Sequence, residues 1–230
     1  MSGRLYVCPT PIGNLADITL RALAVLAEVD GILCEDSRRA GRLLAHHRIA
    51  RRPLIPFHDR NEAAQLGAVL RRLQQGQRLA LISDAGMPVL SDPGFKLVRA
   101  CREQGLAVEV LPGASAITVA LVSAAIPCER FSFLGFLPRG AERAAQLLAD
   151  QPQTAVAFDS PRRVAATIAA LAARQPSRQV ALCRELTKLH EEVVRGEAAA
   201  VAEALAGRQL RGEVVVVVGP PSPEPASRSS

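Results

Sequence analysis

Through the first half of the chain, short apolar runs alternate with longer stretches of helical periodicity, and this alternation constrains the fold more than any other feature. "RLYVCPTP" reads as a strand ending in a proline-rich loop, followed by "GILCED", "RPLIPFHD", "RLALISDAG" and "AVEVLPG" as further strands. Between them lie "ITLRALAVLAEVD", with Asp17 or Thr19 available near its start, and the basic helix "SRRAGRLLAHH". "EAAQLGAVLRRLQQG" is amphipathic and closed by Gly76 at C′, and "GFKLVRACREQG" completes the set. Strands separated by helices of this length need crossover connections, which predicts βαβ units and a mostly parallel sheet.

After Pro112-Gly113 a small-residue helix, "ASAITVALVSAAI", opens a second region. "RFSFLGFLP", "TAVAFDSP", "RQVALCRELT", "HEEVVRGE" and "GEVVVVVGP" read as its strands, with "RGAERAAQLLAD" and "RRVAATIAALAA" as helices. Pairing of "EEVVRGE" with "GEVVVVVG" predicts antiparallel as well as parallel neighbours, hence a mixed sheet. The expected organisation is two α/β domains, residues 1–113 and 114–220, with a Pro/Ser-rich tail over 221–230 expected to be disordered.

Composition removes several function classes. No apolar run approaches the ~20 residues of a membrane span, and "MSGRLYVCPTPIGN" lacks the apolar region of a signal peptide. A cytoplasmic protein with no membrane partner is expected. The five cysteines, Cys8, Cys34, Cys101, Cys128 and Cys183, form no CxxC pair, so they read as buried thiols rather than a disulfide framework or zinc site. Of 28 basic residues only Lys96 and Lys188 are lysines. Arginine forks suit phosphate and carboxylate, and the runs "HHRIARR", Arg71-Arg72 and "SPRR" point modestly to nucleic acid. With no Trp and one Tyr, a base-stacking aromatic platform is not expected.

Chemistry-bearing residues gather at strand ends. "TPIGNL" contains glycine but is neither a P-loop nor a dinucleotide fingerprint. "CEDSRRAGRLL" puts Glu35 and Asp36 ahead of a helix that opens on Arg38 and Arg39. One acid suits the helix cap, whereas cations at the positive end of the dipole call for an anionic partner or pairing with those acids. "LISDAGMPVLSDPG" carries Asp84 and Asp92, too far apart for a calcium loop. Their spacing admits an acid pair, but nothing else points to sugar chemistry. A Gly/Pro-rich loop beyond a strand's carboxyl end suits a polar small molecule. Asp92 is expected to cap a helix starting near Pro93. The four histidines sit in no nucleophile context, and no metal-ligand cluster is found.

Taken in order, "TPIGNLADIT", "EDSRRAGRLL", "ISDAGMPVLSDPG", "LPGASAITVAL", "FLGFLPR", "FDSPRR" and "RELTKLHEE" resemble the RsmI-type small-subunit ribosomal RNA (cytidine-2′-O)-methyltransferases. These belong to the tetrapyrrole methylase superfamily, and the likeness runs over about residues 4–219. It implies two α/β domains with S-adenosyl-L-methionine folded into the cleft between them, a homodimer, and 16S rRNA of the small ribosomal subunit as substrate. The implied cofactor positions are Pro11, Ile12 and Gly13, then Asp84, Ala85, Gly86, Met87, Pro88 and Leu90, then Ser115 and Ala116. Phe158, Asp159, Ser160, Glu185 and Leu186 follow from the second half.

Where the tetrapyrrole branch usually carries a GDP-type central loop, this chain has Ala85-Gly86-Met87-Pro88. With "RELTK" and the arginine-rich composition, that favours RNA over porphyrinoid C-methylation. Asp36, Asp84, Glu185 and Lys188 are the candidates for activating a ribose hydroxyl, with Lys188 suited to hold ribose or phosphate. Arg38, Arg39, Arg139, Arg162 and Arg163 are expected RNA contacts. The competing expectations are a tetrapyrrole-precursor C-methyltransferase, a non-catalytic ribosome-associated RNA-binding protein and, last, a metal-dependent hydrolase.

Overall fold

The computed structural model describes residues 3–221, so the tail read as disordered lies, apart from Pro221, outside the described residues. The chain divides into two units, the first ending at Ser115 and the second beginning at Ala116.

The first unit is built on five parallel strands, β1 (Arg4–Val7), β2 (Gly31–Cys34), β3 (Leu54–Pro56), β4 (Arg78–Leu81) and β5 (Ala107–Val110). Their order is β3-β2-β4-β1-β5, and every pair is parallel. Helices α1 (Leu20–Glu28), α2 (Ser37–His46), α3 (Glu62–Gln74) and α4 (Phe95–Glu103) make the crossovers. Because successive strand residues face opposite ways, β2 and β4 feed two cores. Ile32, Cys34 and Ala80 pack with Ala22, Leu26, Ala40 and Leu44 of α1 and α2. Leu33, Leu79 and Leu81 pack with Val69, Leu70, Leu73, Leu97 and Cys101 of α3 and α4. The outcome is a three-layer sandwich whose strands are apolar on both faces, as a parallel sheet requires.

Local chemistry sets the helix ends. Thr19 Oγ1 accepts the Ala22 N–H at 3.1 Å to start α1, and Asp36 Oδ1 accepts the Arg38 N–H at 2.8 Å to start α2. The helix α4 departs from expectation. It begins at Phe95, Asp92 does not cap it, and its cap residue is Gly94 at φ +120°. The Gly94 N–H donates instead to the buried Glu62 Oε1 at 3.2 Å. A side chain at position 94 would meet Leu81 Cδ2 at 2.5 Å, so the turn excludes any larger residue.

The second unit contains β6 (Phe131–Phe136), β7 (Thr154–Asp159), β8 (Gln179–Arg184), β9 (Glu192–Glu197) and β10 (Val214–Val218), with α5 (Ala116–Ala124), α6 (Ala141–Ala149), α7 (Val164–Arg174) and α8 (Ala198–Leu205). The order is β6-β7-β10-β8-β9. Only β6 and β7 are parallel, and β10 runs antiparallel to both β7 and β8. The two segments expected to pair with one another do not: β9 is antiparallel to β8, which separates it from β10. The alanine-rich α8 was not anticipated. It joins α6 and α7 over one face of the sheet, where Val201 and Leu205 meet Val216 and Val218 in a single core. The helix α7 starts at Val164 rather than at Arg162, with Arg163 as its cap residue.

Arg178 is 2% exposed and locks this unit together. Its guanidinium donates to the carbonyls of Gly219 (2.6 Å), Gln151 (2.8 Å) and Ala149 (3.4 Å), and to Gln175 Oε1 (2.9 Å). Removing it leaves buried acceptors without donors, each costing about 1–3 kcal/mol. Arg178→Ala is expected to lower the unfolding free energy by about 3 kcal/mol or more, read from urea unfolding. A loss within error of zero would mean that the carbonyls recruit other donors.

Candidate functional site

The strand order of the first unit fixes where a ligand can sit. The chain leaves β1 for α1 on one face of the sheet and leaves β4 for α4 on the other, so the loops from the adjacent carboxyl ends of β1 and β4 part toward opposite faces. In open α/β sheets that divergence opens a crevice for ligands. Here the two loops are joined by backbone. The Thr10 N–H donates to Gly86 O at 2.9 Å, and the Gly86 N–H returns to Thr10 O at 3.0 Å. Thr10 Oγ1 also donates to Ser83 O at 3.1 Å, and Ser83 Oγ to Gly86 O at 2.9 Å. Gly86 sits at φ +79°, and a Cβ there would reach Ile12 Cγ2 at 3.3 Å and Ala114 O at 3.7 Å. Three loops, following β1, β4 and β5, thus converge on one glycine.

Pro11, Ile12, Gly13, Ala85, Gly86, Met87, Pro88 and the segment through Ser115 are gathered around this point by the three adjoining strand ends. Pro11, Ile12 and Pro88 are buried, Asp84, Ala85 and Met87 half-buried, and Gly13 and Leu90 exposed. The descent from Pro88 is held in unusual backbone, with Val89 at φ +77° and Ser91 at φ +67°. Non-glycine residues there cost of order 1–3 kcal/mol each and persist where the surroundings impose them. Ser115 and Ala116 lead into α5.

Asp84 connects this loop to the end of β2. Its Oδ1 accepts the Asp36 N–H at 3.1 Å, and its Oδ2 lies 3.5 Å from Arg39 Nε. Asp36 meanwhile holds Arg38 through Nε at 3.1 Å and Nη2 at 2.8 Å. The hydrogen bonds from the Arg38 side chain, then those from the backbone, keep the Asp36 carboxyl well below the usual carboxylate range. The two arginines at the positive end of α2 are therefore offset by acids, one local and one from the loop after β4.

Sequence reasoning missed the electrostatics of Asp92 and Glu35. Burial, then the charges of Glu35, Asp84 and Asp59, push the Asp92 carboxyl up to about 7. Burial, then Asp84 and Asp59, raise Glu35 as well. The carboxylates that add to burial come from three strand ends. Among the described residues no group of three or more His, Cys, Asp or Glu is placed to hold a metal ion.

In the second unit, the register puts Asp159 and Arg184 on opposite sides of Val214, so the loops after β7 and β8 rise from one end of the sheet. The half-buried Phe158 ring packs edge-on against Phe133 at 5.2 Å and tilts on Phe136 at 5.3 Å. Asp159 turns inward. Its Oδ1 accepts the Ser160 N–H at 2.7 Å and Arg163 Nη2 at 2.8 Å, and its Oδ2 accepts Thr167 Oγ1 at 3.1 Å. This carboxylate is a brace, and it also engages one arginine expected to meet RNA. Arg139 and Arg162 stay exposed.

The "RELTK" turn is equally constrained. Glu185 lies at φ +51° and Thr187 at φ +66°. Glu185 Oε1 accepts Lys188 Nζ and the Glu213 N–H, both at 2.8 Å, while Lys188 also reaches Glu213 Oε2 at 2.9 Å. A Cβ at Gly212 would fall 2.4 Å from Glu185 Cδ, so glycine is needed for this carboxylate to lie against the chain. Burial favours the neutral form of both groups, but the Lys188 contacts outweigh it and lower Glu185. Lys188 is likewise raised, its bonds to Glu185 and Glu213 outweighing burial.

Comparison with known proteins bears on this arrangement. The family model for tetrapyrrole (corrin/porphyrin) methylases matches residues 4–202. The ribosomal RNA small subunit methyltransferase I of Thermotoga maritima is 42% identical over 218 residues, covering 94% of this chain and 98% of that protein. Its counterpart in Escherichia coli O157:H7 is 44% identical over 225 residues, covering 94% and 77%. The chain belongs to the tetrapyrrole methylase family. Its fold is shared with uroporphyrin-III C-methyl transferase from Thermus thermophilus complexed with S-adenyl homocysteine, at TM-score 0.66, 19% identity and coverage of 94% and 97%. Diphthine synthase superimposes at TM-score 0.71 with 13% identity and coverage of 95% and 90%.

The raised proton affinity of Asp92 has a consequence for stability. The folded state holds this proton up to about 7, whereas an unperturbed carboxyl releases it near 3.8. Its contribution to stability is complete below the lower value and is lost as pH rises toward the upper one. Asp92→Asn is expected to be more stable than the parent at pH 8, with a smaller margin at pH 5. Thermal unfolding at both pH values checks this, and equal margins would remove the perturbed carboxyl.

Proposed function

We propose that this protein transfers the methyl group of S-adenosyl-L-methionine to the 2′-hydroxyl of a cytidine ribose in 16S rRNA of the small ribosomal subunit. The observation that carries the reading is identity above 40% to proteins named ribosomal RNA small subunit methyltransferase I across 94% of the chain. The reading includes a cytoplasmic location and a homodimer. Among the described residues no helix is long and apolar enough to cross a membrane.

The residues fit such a cofactor. Gly86, bare of a side chain and pinned to Thr10, leaves backbone and small groups facing the crevice beyond β1 and β4. Pro11, Ile12, Gly13, Asp84, Ala85, Gly86, Met87, Pro88, Leu90, Ser115 and Ala116 would hold it. Phe158, Asp159, Ser160, Glu185 and Leu186 of the second unit are cofactor positions on the family resemblance alone, and Asp159 spends its carboxylate bracing its own loop. The sulfonium supplies an electrophilic methyl. The protein's task is then alignment, which lowers a barrier by roughly 7–11 kcal/mol in favourable cases, together with removal of the hydroxyl proton.

Of the four candidates for that proton, Lys188 is raised and stays an ammonium at neutral pH, suited to hold phosphate or ribose. Asp36 and Glu185 are lowered by their ion pairs, which weakens them as bases. Asp84 is half-buried, and its pair with Arg39 is longer, 3.5 Å against the 2.8 Å pairs of Asp36 and Glu185, so it is the acceptor we assign. Arg38, Arg39, Arg139 and Arg162 are exposed and are the proposed contacts to the RNA backbone, while Arg163 is paired with Asp159.

Incubation with labelled S-adenosylmethionine and small ribosomal subunits is expected to yield a 2′-O-methylated cytidine. Reaction with porphyrinoids but with no rRNA form would overturn the proposal. Asp84→Asn is expected to lower the single-turnover transfer rate, measured at saturating cofactor, by roughly 10²-fold or more. A parent-like rate would remove Asp84 as the proton acceptor.

A further inference from the structure

The basic run that follows Asp36 is only partly absorbed by the site above. From Ser37 to Pro56 the chain carries Arg38, Arg39, Arg42, Arg48, Arg51 and Arg52 and not one acid. Arg38 and Arg39 are offset by Asp36 and Asp84. Arg42, Arg48 and Arg51 are exposed and form no ion pair among the described residues. Arg48 stands at φ +56° just past the C-cap of α2, a position that glycine fills at lower cost. A run of exposed like charges in one segment attracts anions. It calls for a counter-charge from outside the chain.

The same segment encloses a groove. A cavity of about 640 Å³, open to solvent, lies between α2 and the segment leading into β3. Ser37, Arg38, Arg51 and Arg52 supply its polar lining, and Leu44 and Leu54 are among its apolar residues. Arg52 is half-buried here. One of its terminal nitrogens donates to the carbonyl of Ala27 near the end of α1, and its Nε is buried with no hydrogen-bond partner. Buried donors in folded proteins are nearly always matched, so the Arg52 head is only partly satisfied by the chain, beside the exposed guanidinium groups of Arg38 and Arg51.

We infer that this groove seats the phosphodiester backbone of the RNA substrate, with Arg51, Arg52 and Ser37 meeting one phosphate and Arg42 and Arg48 tracking its neighbours. The inference rests on the RNA reading above and adds Arg42, Arg48, Arg51 and Arg52 to it. Guanidinium forks match phosphate oxygens in pairs, and the hydroxyl of Ser37 offers a further donor at the start of α2. The apolar lining suits the carbon face of a ribose. A polymer fits better than a single phosphate because the charge runs beyond the groove.

Arg51 gives the clean test, because it is exposed and supports no other group among the described residues, whereas Arg52 also braces α1. Binding of the full chain to a small-subunit rRNA fragment bearing the methylated cytidine is measured against salt for the parent, Arg51→Ala and Arg51→Glu. Arg51→Ala is expected to flatten the plot of log affinity against log salt by about one unit, and Arg51→Glu to weaken binding roughly tenfold. Cofactor affinity and melting temperature should be unchanged, and the defect should appear in KM for RNA rather than in kcat. Parent-like RNA affinity and salt slope in Arg51→Glu would overturn the groove while leaving the methyltransferase reading intact. Inorganic phosphate or a mononucleotide competing as well as RNA of equal phosphate content would overturn it too, assigning the groove to a small anion. Failure of the parent to methylate any rRNA would sink the reading, not the groove, whose effect on RNA affinity is read without turnover.

Discussion

The reciprocal pair of hydrogen bonds between Thr10 and Gly86 is the constraint on which the first unit's site depends. It turns two strand-end loops, which would otherwise be the most mobile parts of the sheet, into one short antiparallel bridge across the divergence of the chain. Ser83 strengthens the bridge from within by sharing its hydroxyl with Gly86 O. The positive φ values at Val89 and Ser91 are downstream effects: with Gly86 fixed on one side and Gly94 fixed by Glu62 on the other, the intervening backbone has little freedom. Rigidity here suits the proposed methyl-donor site, where the reaction would be governed by alignment.

Charge is sorted around that bridge with the two signs close together. Carboxylates from the ends of β2 and β4 and the loops near them crowd until burial and mutual repulsion raise Glu35 and Asp92. From Arg38 the chain turns basic and remains so as far as β3. Asp36–Arg38 and Asp84–Arg39 are the seam between the two regions. Both pairs are partly exposed and contribute little to stability by themselves. Their effect is to orient arginines at a helix start where cations are otherwise disfavoured.

Much of the architecture was legible because apolar periodicity survives in short segments. All five strands of the parallel sheet and the four helices between them follow from it. The helix α8 escaped because Ala198–Leu205 is apolar at nearly every position and offers no polar face to mark its period. The partner of β10 was misjudged because similarity of two segments says nothing about which strand lies between them. At the site, the Asp36–Arg38 pair was foreseeable from positions only two residues apart in sequence. Arg39 with Asp84, and the repulsion felt by Asp92, join residues far apart in the chain and needed coordinates. So did Asp159, whose short side chain sits in a strand-end motif but folds back onto Thr167 and Arg163.

The position of β10 has a bearing on how the second unit comes into being. This strand is the last in chain order among the described residues, yet it lies in the middle of its sheet with hydrogen-bonded neighbours on both sides. Until it arrives, β6 with β7 and β8 with β9 are separate ribbons with unpaired edges, a state open to wrong partners. The parallel sheet carries no such debt, as all its strands precede Leu111. During synthesis the first unit can therefore complete its sheet while the second waits for a single valine-rich strand to close the gap.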